Sequence, residues 1–179
     1  IGAELKSFQC RTEKEVIDAA READGILNQY APINGKVIEH LENVKVIGRY
    51  GIGVDTIDIE KATEAGIAVV NVPKYCTDEV SNHALSLILN CVRKVSRFDH
   101  QIKKGIWDWK KGKPIFPVDD SVLGIIGLGN IGRRLATKAK CVGFDLIAYD
   151  PYLSKEIFDN YGAERKEDLI NLIKESDII

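Results

Sequence analysis

The sequence predicts an α/β protein built on parallel sheets and divided into two parts. Short apolar runs alternate with segments whose apolar residues recur every three or four positions, once within residues 1–78 and again within residues 79–179. A long helix-period segment and a loop containing Pro and Gly lie between the two stretches of alternation. The second stretch also holds a strand, a glycine-rich turn and a helix in direct succession, "VLGIIGLGNIGRRLATKAKCVG".

Taken in order, "ELKSFQC" reads as a strand. Thr12 is placed to cap the helix "EKEVIDAAREA", whose Val16, Ile17, Ala20 and Ala23 share a face. "GILNQ" is a second strand, "KVIEHLENV" puts His40 at a helix end, and "VKVIGRY" is a third strand bounded by Gly51. "DIEKATEAG" is a short helix closed by Gly66 at the position after the C-cap, and "IAVVNVP" is a strand ended by Pro73. One helix is predicted from Thr77 to Lys104. Thr77 would be its N-cap, Asp78 and Glu79 lie near its positive end, and Val80, Ala84, Leu87, Ile88, Cys91, Val95, Phe98 and Ile102 repeat along it. It is expected to link the two parts. "GIWDWKKGKPIFPVDD" reads as loop. The rhythm then restarts with strand "VLGIIG", helix "NIGRRLATKAKCVG" and strand "DLIAYD". An irregular stretch, helix "KEDLINLIKES" and the start of a strand, "DII", follow.

The 179 residues are 45% hydrophobic and 29% charged, with a net charge of −2. That balance gives no electrostatic footprint for nucleic acid or an anionic membrane surface. No apolar run approaches the roughly 20 residues of a spanning helix. The four cysteines, Cys10, Cys76, Cys91 and Cys141, form no CxxC pair and sit in or beside apolar segments, so buried, reduced thiols in a cytoplasmic protein are expected.

Gly127, Gly129 and Gly132 match G-x-G-x-x-G between a strand and an amphipathic helix with Ile131, Leu135, Ala139 and Val142 on one stripe. The next strand ends in an acid, Asp150. In a dinucleotide site Gly127 permits the tight turn, Gly129 lets the backbone approach the pyrophosphate, and Gly132 lets helix and strand pack closely. The amides of Asn130 and Ile131 at the helix start favour phosphate. Asp150 would accept hydrogen bonds from the adenosine ribose and repel a 2′-phosphate. Pro151 and Tyr152 follow it rather than Arg, which favours NAD over NADP. The alternative is a glycine-rich strand–helix turn with no ligand. "RYGIGVD" carries a second pair, Gly51 and Gly53. It is either a plain turn or a nest of amides for a small carboxylate beside Arg49.

"RYGIGVDTIDIEKATEAGIAVVNVPKYCTDEVSNHALSLIL", "GIWDW" and "LGIIGLGNIGRRLATKAKCVGFDLIAYDPY" together resemble the D-isomer-specific 2-hydroxyacid dehydrogenases from about Val44 onward. "KYCTDEVSNHAL" and "GIWDWKKGKPIF" are most similar to the subgroup around the C-terminal-binding-protein corepressors and their bacterial relatives. The resemblance implies two doubly wound parallel-sheet lobes, a flavodoxin-like substrate lobe and a Rossmann NAD lobe, both incomplete in this chain. It implies an NAD-dependent oxidoreductase that reduces 2-keto acids or oxidises D-2-hydroxy acids, in a homodimer. Arg49, Ile52 and Gly53 match substrate-binding positions, and Ile52 is also close to the cofactor. Gly127, Gly129, Asn130, Ile131, Gly132 and Asp150 match cofactor-binding positions. The family's catalytic Arg, Glu and His fall beyond the equivalent of Ile179, so no catalytic residue is assigned, and the chain is expected to be an internal fragment without its first strand, inactive alone. An NAD(H)-sensing, corepressor-like binding module and a plain folding fragment are the alternatives.

His40, His83 and His100 are expected to be solvated or capping residues, and Trp107 and Trp109 core or interface anchors. No metal-ligand cluster is visible.

Overall fold

The computed structural model describes residues 2–179. The chain forms two compact units, Ile1–Tyr75 and Cys76–Ile179.

The first unit opens with α1 (Glu13–Ala20). Thr12 caps it through a reciprocal pair: its Oγ1 accepts from the Glu15 amide at 3.3 Å, and the Glu15 carboxylate accepts from the Thr12 amide at 3.0 Å. Strand β1 (Gly25–Asn28), helix α2 (Gly35–Ile38), strand β2 (Val46–Arg49), helix α3 (Ile59–Glu64) and strand β3 (Ala68–Val70) follow. The three strands are parallel, in the order β1-β2-β3. The registered row Ile26, Ile47 and Val69 packs into a core with Ile33, Val37 and Ala62. Asp58 caps α3 by accepting from the Lys61 amide, and Gly66 turns out of it at φ 72°.

The strand predicted at "ELKSFQC" is absent: residues 4–10 form no regular element, and Leu5 is 81% exposed. Leu5 and Phe8 are three residues apart, so a pleated strand would put them on opposite faces and could bury only one.

The second unit holds α4 (Thr77–Arg93), α5 (Val95–Lys103), two short 3₁₀ turns, β4 (Val122–Ile126), α6 (Asn130–Val142), β5 (Asp145–Tyr149), α7 (Lys155–Tyr161), β6 (Glu164–Arg165) and α8 (Leu169–Glu175). The sheet is parallel in the order β4-β5-β6. On the free edge of β4 Ile178 pairs with Leu123, and the Gly124 amide donates to the Ile178 carbonyl at 2.8 Å. The chain thus runs from β4 outward through β5 and β6, then returns to the other side of β4. That reversal puts a crevice at the carboxyl end of β4, where ligands of open parallel sheets bind. Leu123, Leu128, Ala136, Ala139, Ala148 and Phe158 form the core.

Several expectations are corrected here. The helix predicted over Thr77–Lys104 is two helices, broken at Lys94, which has φ 56°. Asn90 Oδ1 accepts from the Ser96 amide at 2.9 Å and from its hydroxyl at 2.8 Å, so the first turn of α5 is capped from the side rather than continued. The N-cap of α4 is Cys76, not Thr77, and the Thr77 hydroxyl is buried without a partner among the described residues. The buried positions of α4 are Ser81, Ile88 and Val92, while Val80 and Leu87 stay exposed. Ile88 and Val92 pack into the core with Leu123, and beside them Lys138 of α6 donates to Ser81 Oγ at 2.7 Å, to Asn82 Oδ1 at 2.7 Å and to Asp78 Oδ1 at 2.9 Å. Cys91 and Cys141 are exposed and Cys10 and Cys76 only half-buried, because each thiol lies off its helix's packed face or outside an element. Helix α7 and strand β6 occupy the stretch read as irregular. Phe158 there is fully buried, and Gly162 closes the helix at φ 63°.

Candidate functional site

The three fingerprint glycines differ in their surroundings. Gly127 leaves β4 at φ 88°, a conformation that a side chain resists. A Cβ at Gly129 would meet no atom within 4 Å, so that face of the turn is open space. A Cβ at Gly132 would collide with the carbonyl oxygen of Gly127, so α6 reaches its closest approach to the turn there. Gly129 is the N-cap of α6 and offers no side-chain acceptor. The amides of Asn130 and Ile131 therefore have neither an intrahelical nor a capping partner, and with the helix dipole they make a positive end facing that space.

Between the glycines, Leu128 is fully buried. Its amide donates to Asp150 Oδ2 at 3.0 Å, and its carbonyl accepts from Arg133 Nε at 2.8 Å. Asp150 Oδ1 accepts from the Tyr152 amide at 3.0 Å. The Gly127 amide donates to the Tyr149 carbonyl at 2.8 Å, joining the turn to the end of β5. Asp150 is half-buried and Tyr152 is 93% exposed beside it. The structure thus brings Gly127, Gly129, Asn130, Ile131, Gly132 and Asp150 to one end of the sheet. Leu128 and Arg133, which sequence reasoning passed over, hold them there. A buried apolar residue between two turn glycines was the available signal.

In the first unit the Tyr50–Gly53 turn leaves the carboxyl end of β2. The Tyr50 amide donates to the Asn28 carbonyl at 2.8 Å and the Gly51 amide to the Arg49 carbonyl at 2.8 Å. Asn71 Nδ2 donates to the Ile52 carbonyl at 2.8 Å, and the Val72 amide to the Gly51 carbonyl at 3.0 Å. The Arg49 guanidinium folds back over Gly51: Nη1 donates to the Tyr50 carbonyl, and Nε is buried without a partner among the described residues. A Cβ on Gly51 would strike that guanidinium. Ile52 is half-buried and Gly53 exposed. Arg49, Ile52 and Gly53 therefore sit together at one strand end, with an unsatisfied cationic donor among them.

His40, His83 and His100 are exposed, and His40 Nδ1 lies 2.8 Å from the Lys36 carbonyl just beyond α2. Trp107 and Trp109 are 90% and 63% exposed.

A parallel sheet entered through a glycine turn at its switch point defines an α/β protein of the doubly wound kind. The family model described as D-isomer specific 2-hydroxyacid dehydrogenase, catalytic domain, matches residues 2–178, and the chain belongs to that family. It is 38% identical over 169 residues to the D-3-phosphoglycerate dehydrogenase of Methanocaldococcus jannaschii, covering 94% of this chain and 32% of that one. It is 38% identical over 156 residues to the hydroxypyruvate reductase of Thermotoga maritima, covering 86% of this chain and 49% of that one. The D-lactate dehydrogenase of Aquifex aeolicus, solved with NAD and lactic acid, is similar at a TM-score of 0.81 and 26% identity, covering 90% of this chain and 49% of that one. The chain thus spans between about a third and a half of the length of these relatives.

Proposed function

We propose that the chain carries the substrate-side turn and the pyrophosphate-binding turn of an NAD-dependent oxidoreductase that reduces 2-keto acids or oxidises D-2-hydroxy acids. The observation that carries this reading is the Gly127–Gly132 turn, with open space over Gly129, uncapped amides at α6 and the Asp150 carboxylate beside them. Those donors and that space fit a pyrophosphate, and the acid fits a ribose with free hydroxyls. NAD supplies the hydride acceptor when bound. Gly127, Gly129, Asn130, Ile131 and Gly132 hold the phosphates, and Asp150 takes the ribose and disfavours a 2′-phosphate. Arg49, with the amides of Ile52 and Gly53, holds the carboxylate of the small acid, and Ile52 also borders the cofactor. Residues 1–78 act as the substrate lobe and residues 79–179 as the first part of the cofactor lobe.

Val80 and Leu87 on α4, Val95 and Ile102 on α5, and Trp107 after them are exposed apolar residues. Their exposure supports a homodimer of the whole protein. No described helix is long and apolar enough to cross a membrane, and a cytoplasmic setting is the reading that suits four free cysteines. The names of the relatives, all metabolic dehydrogenases or reductases, favour turnover over the corepressor-like sensing alternative.

Titrating this chain with NAD and NADH is expected to give saturable binding, and its absence would overturn the cofactor reading. The whole protein is expected to oxidise NADH in the presence of at least one of glyoxylate, pyruvate, hydroxypyruvate or 3-phosphohydroxypyruvate. Binding of NADH without turnover of any small 2-keto acid would point to sensing instead. Size-exclusion chromatography with light scattering on the whole protein should report a dimer.

A further inference from the structure

We propose that Asp150 and Arg133 clamp the Leu128 backbone through contacts within the chain and so hold the glycine turn in its phosphate-accepting shape, which makes Asp150 a positioning residue as well as a ribose contact. This rests on the dinucleotide reading above. Leu128 is fixed in three ways. Its side chain is fully buried, its amide donates to Asp150 Oδ2 at 3.0 Å, and its carbonyl accepts from Arg133 Nε at 2.8 Å. The residue just before the open Gly129 position therefore has both its backbone N–H and its C=O held by charged side chains, and hydrogen bonds to charged groups are the strong ones. Asp150 is itself fixed, because its second oxygen accepts from the Tyr152 amide at 3.0 Å. The ribose acid and the phosphate turn thus form one mechanical unit.

The consequence concerns selectivity. A carboxylate that only sorted ribose from 2′-phosphoribose could be removed to admit NADP. A carboxylate that also holds the Leu128 amide cannot be removed without loosening the turn that both nucleotides need.

The experiment is amide hydrogen exchange on the nucleotide-free chain, alongside NAD and NADP titrations. Asp150→Ala is expected to speed exchange at Leu128 by about tenfold or more and to weaken NAD and NADP together. Arg133→Met, which keeps the aliphatic stem and loses the donor, should also speed Leu128 exchange and lower both affinities by a similar factor. Asp150→Asn keeps the side-chain shape and can still accept one of the two amides, so it should fall between wild type and Asp150→Ala. It carries the test if circular dichroism shows that Asp150→Ala does not fold. Wild-type exchange at Leu128 in Asp150→Ala, or in Asp150→Asn where that variant stands in for it, would overturn the clamp, as would a gain in NADP affinity in either. If the wild-type chain binds neither nucleotide, the dinucleotide reading fails, and the exchange rates at Leu128 still decide whether the clamp exists.

Discussion

The turn after β4 and the turn after β2 both leave the carboxyl end of a parallel strand, yet they are held by different means. The Gly127–Gly132 turn is shaped by its own backbone and the helix it opens. Gly127 supplies the positive φ, and Gly132 lets α6 press against the Gly127 carbonyl. The Tyr50–Gly53 turn is held from outside, by the Asn28 carbonyl and the Asn71 side chain, and the group that fills the space beside Gly51 is the movable guanidinium of Arg49. The first arrangement suits a ligand part that never varies, such as a pyrophosphate. The second suits an acid whose size differs among substrates, because a flexible cation can adjust where a backbone cannot.

The contrast is broken most severely at Gly132. Gly132→Val puts a branched side chain against a backbone carbonyl that has nowhere to move. Overpacking of this kind costs about 1–3 kcal/mol or more, a large part of an ordinary stability margin. Amide protection across Val122–Tyr149 should fall sharply. Protection equal to wild type would mean that the turn can shift as a body, and that its rigidity is overstated.

Gly129→Val tests the opposite property of the same turn. Nothing lies within 4 Å of the added carbon, so the fold followed by circular dichroism should persist. The branched side chain enters the space assigned to the pyrophosphate, and NAD affinity should fall by about a hundredfold or more, the scale of losing two or more good contacts to a charged ligand. A variant that folds and binds NAD like wild type would remove the phosphate from this site.

These two glycines also show what the sequence could and could not reveal. The spacing of Gly127, Gly129 and Gly132 was legible because it is a known strand–turn–helix pattern, in which Gly127 meets a positive φ and Gly132 a close approach, while Gly129 leaves space open. The parallel strands from Gly25, Val46, Ala68, Val122 and Asp145 were legible as short apolar runs between helix-period segments. The Leu128 clamp was not, since it joins groups 22 residues apart through a side chain already assigned to ribose. The break at Lys94 was hidden because lysine is a good helix former, and it follows from an Asn90–Ser96 contact that periodicity does not encode. The inward face of α4 was hidden for a related reason. Its apolar repeat does not state which side packs, and the buried side carries a polar residue, Ser81, that accepts from Lys138.

Arg49→Ala sharpens the comparison from the other turn. Arg49 already gives one donor to the Tyr50 carbonyl, and its buried Nε has no partner among the described residues. If it grips the carboxylate, the variant loses a charge-assisted contact of about 1.5–3 kcal/mol, and KM for 2-keto acids in the whole protein should rise about tenfold or more. kcat should change less, because the lost contact holds ground state and transition state alike. A change confined to thermal stability, with KM untouched, would make Arg49 a structural lid over Gly51.

The smallest effect is expected where α4 is tied to α6, the helix that opens the cofactor turn. The Lys138 ammonium and the Arg134 guanidinium hydrogen-bond to Asp78 at 2.9 and 2.6 Å and hold its carboxyl below the ordinary range. A carboxyl whose folded pKa is depressed adds stability that is fully present above its unfolded value and is lost as pH falls through the folded value. Asp78→Asn should therefore lower the melting temperature slightly at pH 7. As pH drops below about 4, the ordinary carboxylate range, the difference between variant and wild type should shrink. Asp78 is largely exposed, so salt should weaken the effect as well. Among the described residues the turn after β2 has no comparable ion pair, and Arg49→Ala should show no such convergence at acid pH. A gap between Asp78→Asn and wild type that stays constant from neutral pH to pH 3 would show that the contact works through packing of the amide-sized group rather than through its charge.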